Sequence, residues 1–400
     1  MFQRRLILAI TGIVFALGIH AQQGKKIHFG SILIDTHNDI PSTAIDEGVS
    51  FDQSLKNKTH SDLQRMLAGG VDAQFFSIWC DGNKKNPNAW AWREIDTVKA
   101  WASRNPQKMV MATSVKEIRK ASRRGQLASL LGVEGGHMIE DDMSKLIEFH
   151  KGGVRYMTLT WNNSTSWATS ALDETSPNPS EGGALTAQRK KGLTEFGQEV
   201  VKMMNQLGML VDLSHVGEQT FWDVMKIVTK PVLVSHSCVY TLCPHRRNLK
   251  DEQIKAIAQN GGVIHLNFYS GFVDPAFEAR SDAFTAKHKS EMDSMLKINP
   301  EPYFMQVYLF NKYPEEVKAL RPPMSMLLDH LDYIVKIAGV DHVGLGSDFD
   351  GVNSLPEGLN GVEDFPKITD ELIKRGYSKK EIQKILGGNL LRVMAANEKK

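Results

Sequence analysis

The chain has 400 residues, 42% of them hydrophobic, with 48 lysines and arginines against 46 acids and a formal net charge of +2. Residues 1–21 carry two of the arginines and no acid, so the remainder is formally neutral, and neither nucleic acid nor an anionic membrane has an electrostatic case as partner. Three cysteines, Cys80, Cys238 and Cys243, are too few for a disulfide framework and form no Cys-x-x-Cys metal site, so stability must come from a large apolar core.

The first element is an apolar run over 6–19, preceded by Arg4 and Arg5 and closing at Ala21. It is shorter than the roughly 20 residues of a spanning helix. The pattern predicts a secretory signal peptide cleaved after Ala21, with an uncleaved interfacial anchor as the alternative. The expected mature protein, 22–400, is exported to a periplasmic or extracellular compartment, and no cysteine adjoins the cleavage site to suggest a lipoprotein.

Short apolar, β-branched runs then alternate with amphipathic segments. The runs lie at 32–34, 73–78, 127–133, 154–159, 209–213, 232–234, 263–266 and 343–345. Helical patterns occupy 194–207, 219–228 and 253–259, most ending at Gly or Asn as helix C-caps do. Eight strands with helical crossovers predict an α/β fold, a (β/α)8 TIM-type barrel, as a single catalytic domain over 22–400. Two longer segments interrupt the alternation: 161–193, polar and turn-rich, and 270–320, with a helical pattern at 283–296. Both follow strand ends, so they are expected to rise over the catalytic face of such a barrel, with plain decoration as the bland reading.

Chemistry-bearing side chains gather at the ends of these runs. In LIDTHNDIP, His37 and Asp39 are two apart, on one face of an extended chain, and can reach one cation. Glu134 ends the run in SLLGVEGGH, and His215 and His236 follow runs in MLVDLSHVG and PVLVSHS. Singly, each has an ordinary structural reading: a hydrogen-bonded core histidine, or a capping or ion-paired glutamate. Their shared position, the matched strand-Ser-His register and the glycines behind Glu134 favour metal ligation. A carboxylate can bridge two ions, so Glu134 is the expected bridge, leaving His37 and Asp39 for one ion and His215 and His236 for the other. Zinc suits this donor set best, although ligand type alone does not separate it from manganese, cobalt or iron. Two such ions can hold a bridging water and lower its pKa, which predicts a hydrolase. Asp348, in HVGLGSDFDGV after the last run, is the expected proton shuttle; Asp350 is the alternative, and an Asp-Gly turn the structural reading.

The segments THND, GVEGGH, GVRYMTLTW, LVDLSHVG, VSHSCVYTLCPHRRN, GLGSDFDGV and LGGNLLRV follow one another in this order. Over nearly the whole mature length the chain thereby resembles the membrane (renal) dipeptidase family of dizinc (β/α)8-barrel hydrolases. The resemblance implies that His37, Asp39, Glu134, His215 and His236 hold two Zn2+ ions with Glu134 bridging, and that Asp348 is the acid/base. It also implies that Arg247, the second arginine of PHRRN, grips the terminal carboxylate of a small dipeptide substrate, Arg246 being the alternative. Trp161 departs from the pattern, standing where mammalian members have a histidine. Oxyanion stabilisation then falls to the metals, to Trp161 Nε1, or to Asn162 or Asn163. The implied function is a dipeptidase acting through a hydroxide bridging two zinc ions, in an assembly that could be a homodimer. The alternatives are a related amidohydrolase acting on N-acyl amino acids or cyclic amides, and a catalytically silent secreted metal-binding protein.

Overall fold

All eight predicted runs form strands, and they close on themselves. The computed structural model describes residues 22–176, 190–297 and 302–399; the apolar run at 6–19 and part of the 161–193 segment lie outside them. The strands are β1 (Leu33–Asp35), β2 (Val71–Trp79), β3 (Met109–Met111), β4 (Leu127–Glu134), β5 (Val154–Thr158), β6 (Leu210–Asp212), β7 (Leu233–Val234), β8 (Val263–Leu266) and β9 (Val343–Leu345). Pairing runs β1 to β2, β2 to β4, onward in order to β9 and back to β1, every pair parallel, so that eight strands make a closed barrel. This is the (β/α)8 architecture expected.

The ninth strand, β3, is an addition. It pairs with the lower end of β4, Met109↔Leu127 to Met111↔Ser129, and β5 takes over higher on β4, from Leu131. Three residues with no apolar alternation carry too little pattern to mark a strand in advance. All eight residues of β4 are buried, as expected of a parallel strand covered on both faces.

Local chemistry sets most helix ends where the pattern predicts them. Thr194 caps the helix Glu195–Leu207 by accepting from the Gly197 N–H, and Gly208 ends it in the left-handed region at φ 79°. Helix Asp251–Asn260 stops in the same way at Gly261. Helix Glu218–Ile227 ends without a glycine, at an extended Val228. The pattern at 283–296 is two helices, Phe277–Lys287 and Lys289–Leu296, broken at His288, whose ring stacks on Tyr313 at 4.0 Å between centroids. The 270–320 segment has its own small apolar cluster, built around Phe277, Phe284, Leu309 and Phe310. It reaches the loop beyond β9 through Asn353 Nδ2, which donates to Gln306 Oε1 at 2.8 Å. Among the described residues no helix is long and apolar enough to cross a membrane.

Alternation along the strands sends one set of side chains into the barrel. Ile34, Phe75, Leu130, Tyr156 and Leu233 belong to one buried cluster, and the same parity continues upward to polar groups at Ser77, Glu134 and Thr158. Tyr156 on β5 spans the interior, its hydroxyl donating to Thr36 O beyond β1 at 3.0 Å. Gly132 makes room for this ring, since a Cβ there would lie 1.9 Å from Tyr156 Cζ. Gly132→Ala is therefore expected to cost about 1–3 kcal/mol by overpacking, read as a lower urea midpoint of the metal-free protein. An unchanged midpoint would mean that the ring has space to withdraw.

Candidate metal centre

The predicted ligands all meet at the C-terminal mouth of the barrel. Glu134 is the last residue of β4; His37 and Asp39 follow β1, and His215 and His236 follow β6 and β7. The β1 and β9 ends are tied by the Asp348 N–H, which donates to His37 O at 3.1 Å, and by the pairing of Asn38 with Phe349. Glu134 lies centrally and its two oxygens face different partners. Oε2 is 3.3 Å from His37 Nε2, while Oε1 is 2.9 Å from His215 Nε2 and 3.4 Å from His236 Nε2. Asp39 Oδ2 lies 3.4 Å from His37 Nε2, and all five side chains are buried.

The other ring nitrogens reveal how each imidazole is protonated. His37 Nδ1 is 3.0 Å from the Tyr156 hydroxyl, whose own proton goes to Thr36 O, so the ring nitrogen is the donor. His236 Nδ1 is 2.8 Å from Ser235 Oγ, which in turn donates to Asp212 Oδ2 at 2.6 Å. His215 Nδ1 faces Asn162 Oδ1, an acceptor, at 3.1 Å. With Nδ1 carrying a proton in each case, Nε2 is the nitrogen that each ring turns to the centre for a cation.

That convergence fits a cation. His215 Nε2 and His236 Nε2 are 3.0 Å apart with no proton left to share, and both face a carboxylate oxygen. His37 Nε2 and Asp39 Oδ2 are buried without any hydrogen-bond partner. Burial opposes charge on His37, yet the Tyr156 hydroxyl, Glu134 and Asp39 outweigh it and hold its pKa well above the usual imidazole range, so that without an ion its Nε2 carries a second proton, the one a cation would displace. Burial takes His215 down to about 3 and His236 well below its usual value, leaving both rings neutral and ready to ligate. Two donor groupings are within reach of a single ion: His37 with Glu134 and His236, and His37 with Asp39 and Asp348. The geometry thus associates His236 with His37 more closely than the sequence pairing implies, and it draws Asp348 toward the ligand set.

Two alternatives left open by the sequence are separated by position. Asp348 is buried with Oδ1 3.9 Å from His37 Nε2, and its Oδ2 accepts from Asn267 Nδ2 at 2.7 Å. Asp350 is turned away, its carboxylate engaged by the Ser61 hydroxyl and the His60 N–H. Likewise Arg246 is exposed, whereas Arg247 is buried. The Arg247 guanidinium donates to Ser237 Oγ at 3.3 Å and His236 O at 3.2 Å, sits 5.4 Å from the Phe272 ring centroid, and leaves Nε without a partner. Burial lowers its pKa to about 10, which still leaves it charged at neutral pH.

Trp161 packs edge-on to Trp79 at 5.1 Å between centroids and lies 6.4 Å from the His215 ring. Asn162 backs His215 as described, and Asn163 packs against Gly82, where a Cβ would come within 2.4 Å of its Cγ. The sequence reading missed the residues that support the centre. Asp212 accepts from Thr158 Oγ1, Ser214 N, Ser235 N and Ser235 Oγ; Asp35 accepts from Ser347 N and Ser347 Oγ, and burial raises its pKa to about 6. Both were findable as acids at the ends of apolar runs. Tyr156 and Asn267 carry no local signal.

Comparison with known proteins gives the family and the fold in which this arrangement stands. The family model for membrane dipeptidases (peptidase family M19) matches residues 21–400. Among solved structures, the chain is similar to the probable dipeptidase PvdM from Pseudomonas aeruginosa, with a TM-score of 0.76 and 22% identity over 94% of this chain and 98% of that one. A metallo peptidase from Rhodobacter sphaeroides, liganded with a phosphinate mimic of the dipeptide L-Ala-D-Ala, gives 0.72 and 22% over 92% and 100%. An amidohydrolase from Pseudomonas aeruginosa gives 0.69 and 22% over 94% and 98%. At such identity these structures speak for the fold, while the family match spans all of the described residues but no more of 1–21 than Ala21. The chain belongs to the membrane dipeptidase family, and so among the metal-dependent dipeptidases.

Proposed function

We propose that this chain hydrolyses the peptide bond of free dipeptides at a paired divalent-metal centre, with zinc the best match to its donors. His37, Asp39, Glu134, His215 and His236 would hold the ions, and Glu134 would bridge them. The observation that carries the reading is the gathering of buried acceptor atoms around both oxygens of Glu134, next to the under-partnered guanidinium of Arg247. When bound, such ions supply Lewis acidity that polarises a carbonyl and lowers the pKa of water. The chain's own groups divide the remaining work. Asp348 holds or delivers the proton at its Oδ1, the oxygen turned toward His37, while Asn267 fixes the other oxygen. Arg247 binds the substrate carboxylate. Trp161 and Trp79 form an aromatic wall beside the substrate, and Asn162 acts through His215. The phosphinate dipeptide mimic in the Rhodobacter relative supports a dipeptide as the substrate class.

Zinc-reconstituted protein is expected to hold about two ions per chain, since a lone catalytic zinc usually takes only three protein ligands. Glu134→Ala is expected to weaken both ions, as measured by elemental analysis after gel filtration. A fully loaded wild type with one ion would reject the paired centre. Assayed in parallel, faster turnover of N-acyl amino acids than of any dipeptide would favour an amidohydrolase instead.

A further inference from the structure

We propose that residues 161–176 form a strap that sets the metal-binding form of His215, with Asn162 as its positioning residue, so that the ion held by His215 is only as firmly bound as this strap allows. The proposal rests on the paired-metal reading and extends it to a difference between the two ions. The three ligand histidines are backed differently. His37 is backed by Tyr156, and His236 by its neighbour Ser235, itself anchored on Asp212; all three supports are fully buried in the barrel. His215 alone is backed from outside the barrel wall, by the half-buried Asn162 in the segment after β5.

His215 also has an unusual backbone. At φ 63° it lies in the left-handed region that residues with a Cβ seldom adopt, and such a conformation persists only where the surroundings impose it. The strap imposes it. Ala171 N donates to His215 O at 2.8 Å, Ser170 pairs antiparallel with Val216, and Gly217 N donates to Thr169 O at 2.8 Å. Ser170 closes the circuit by donating its hydroxyl to Asn162 O at 2.7 Å. Ser170 therefore stands between the two residues, Thr169 and Ala171, that hold the turn carrying His215, and its hydroxyl ties that bridge to the residue whose amide faces the ring.

Chemistry gives Asn162 its role. The Nδ1–H of His215 needs an acceptor, and the Asn162 amide oxygen at 3.1 Å is the one it has. Without it the imidazole can carry its proton on Nε2, the nitrogen that points at Glu134 and His236, and that tautomer cannot ligate. Loss of such a partner typically weakens metal binding by about 10- to 100-fold.

The test is stepwise zinc binding by metal-stripped full-length protein in competition with a chromophoric chelator. Asn162→Ala is expected to weaken one of the two zinc affinities by about 10- to 100-fold and leave the other within about threefold. Asn162→Asp, whose carboxylate accepts the same proton, is expected to restore it. Ser170→Ala, which touches neither His215 side chain nor metal, is expected to weaken the same ion by a smaller factor, and it carries the test should Asn162→Ala not fold. Thermal unfolding of each metal-free variant serves as the folding control. Two unchanged zinc affinities in Asn162→Ala, equal weakening of both, or failure of Asn162→Asp to restore binding would each overturn the strap. A wild type that takes one zinc overturns the paired reading beneath it, an outcome visible before any variant is made.

Discussion

Asp348→Asn is expected to lower kcat by about 100-fold or more while metal content stays unchanged. Asparagine keeps the size of the side chain and tolerates the left-handed backbone that Asp348 adopts at φ 61°, so the substitution removes the proton-carrying group with little else. Its oxygen can still accept from Asn267 Nδ2, now at 2.7 Å from the carboxylate. Burial pushes the Asp348 pKa up to about 7; His37 opposes the rise, and Asp39 and Glu134 add to it. A group that titrates near the working pH can both take and return a proton, and divalent ions beside it would draw the pKa down again. Asp350→Asn provides the comparison. That carboxyl is also buried and raised to about 7, but Ser61 and His60 occupy it, so kcat is expected to change far less. Steady-state kinetics with elemental analysis on both variants decides the assignment. A larger kcat loss in Asp350→Asn would mean that the other acid of SDFDG carries the proton. Loss of an ion from Asp348→Asn would make Asp348 a ligand in the group it forms with His37 and Asp39.

The barrel and the residues that converge at its mouth were legible for one shared reason: both are written in short stretches of sequence. An apolar run followed within a few residues by a histidine or acid is a local pattern, and it marks His37, Asp39, Glu134, His215, His236 and Asp348. What holds those groups is non-local. Tyr156 meets His37 across 119 positions and Asn267 meets Asp348 across 81, contacts that exist only once the strands have closed into a ring. Asn162 shows the same limit in another form. Sequence placed it near the site because it follows β5, and left its partner open among substrate and oxyanion. In the fold its amide is turned to His215 Nδ1, 53 positions away, and its backbone carbonyl accepts from the Ser170 hydroxyl, neither of which the TLTWNN stretch announces. Asp35 and Asp212 fall between these cases. They lie inside LIDTH and LVDLSH, and a buried acid at a strand end is a local signal, although its purpose, collecting N–H and hydroxyl donors under the ligand loops, is not.

Arg247→Ala is expected to reduce kcat/KM for dipeptides by about 30- to 1000-fold, which corresponds to on the order of 2 to 4 kcal/mol for a bidentate charge-assisted contact. The guanidinium is buried beside the centre with its Nε unpaired and only two long hydrogen bonds, to Ser237 Oγ and His236 O, so much of its capacity to donate is unused by the protein. Burying a charge without a counter-ion is costly, and a substrate carboxylate would recover that cost on binding. Arg247 also donates to the backbone carbonyl of His236, one of the proposed ligands, so its removal acts on the centre as well, and activity alone does not separate the two effects. Amidated dipeptides resolve this. They lack the carboxylate, so wild type should cleave them poorly, and Arg247→Ala should cleave them about as well as wild type does. If the variant instead loses activity on free and amidated dipeptides by the same factor, Arg247 supports the metal site and binds no carboxylate. Arg247→Lys, which keeps a charge but not the planar fork, is expected to recover only part of the loss. Wild-type cleavage of free and amidated dipeptides at equal rates would remove the carboxylate clamp altogether and leave an amidohydrolase of broader reach as the better description.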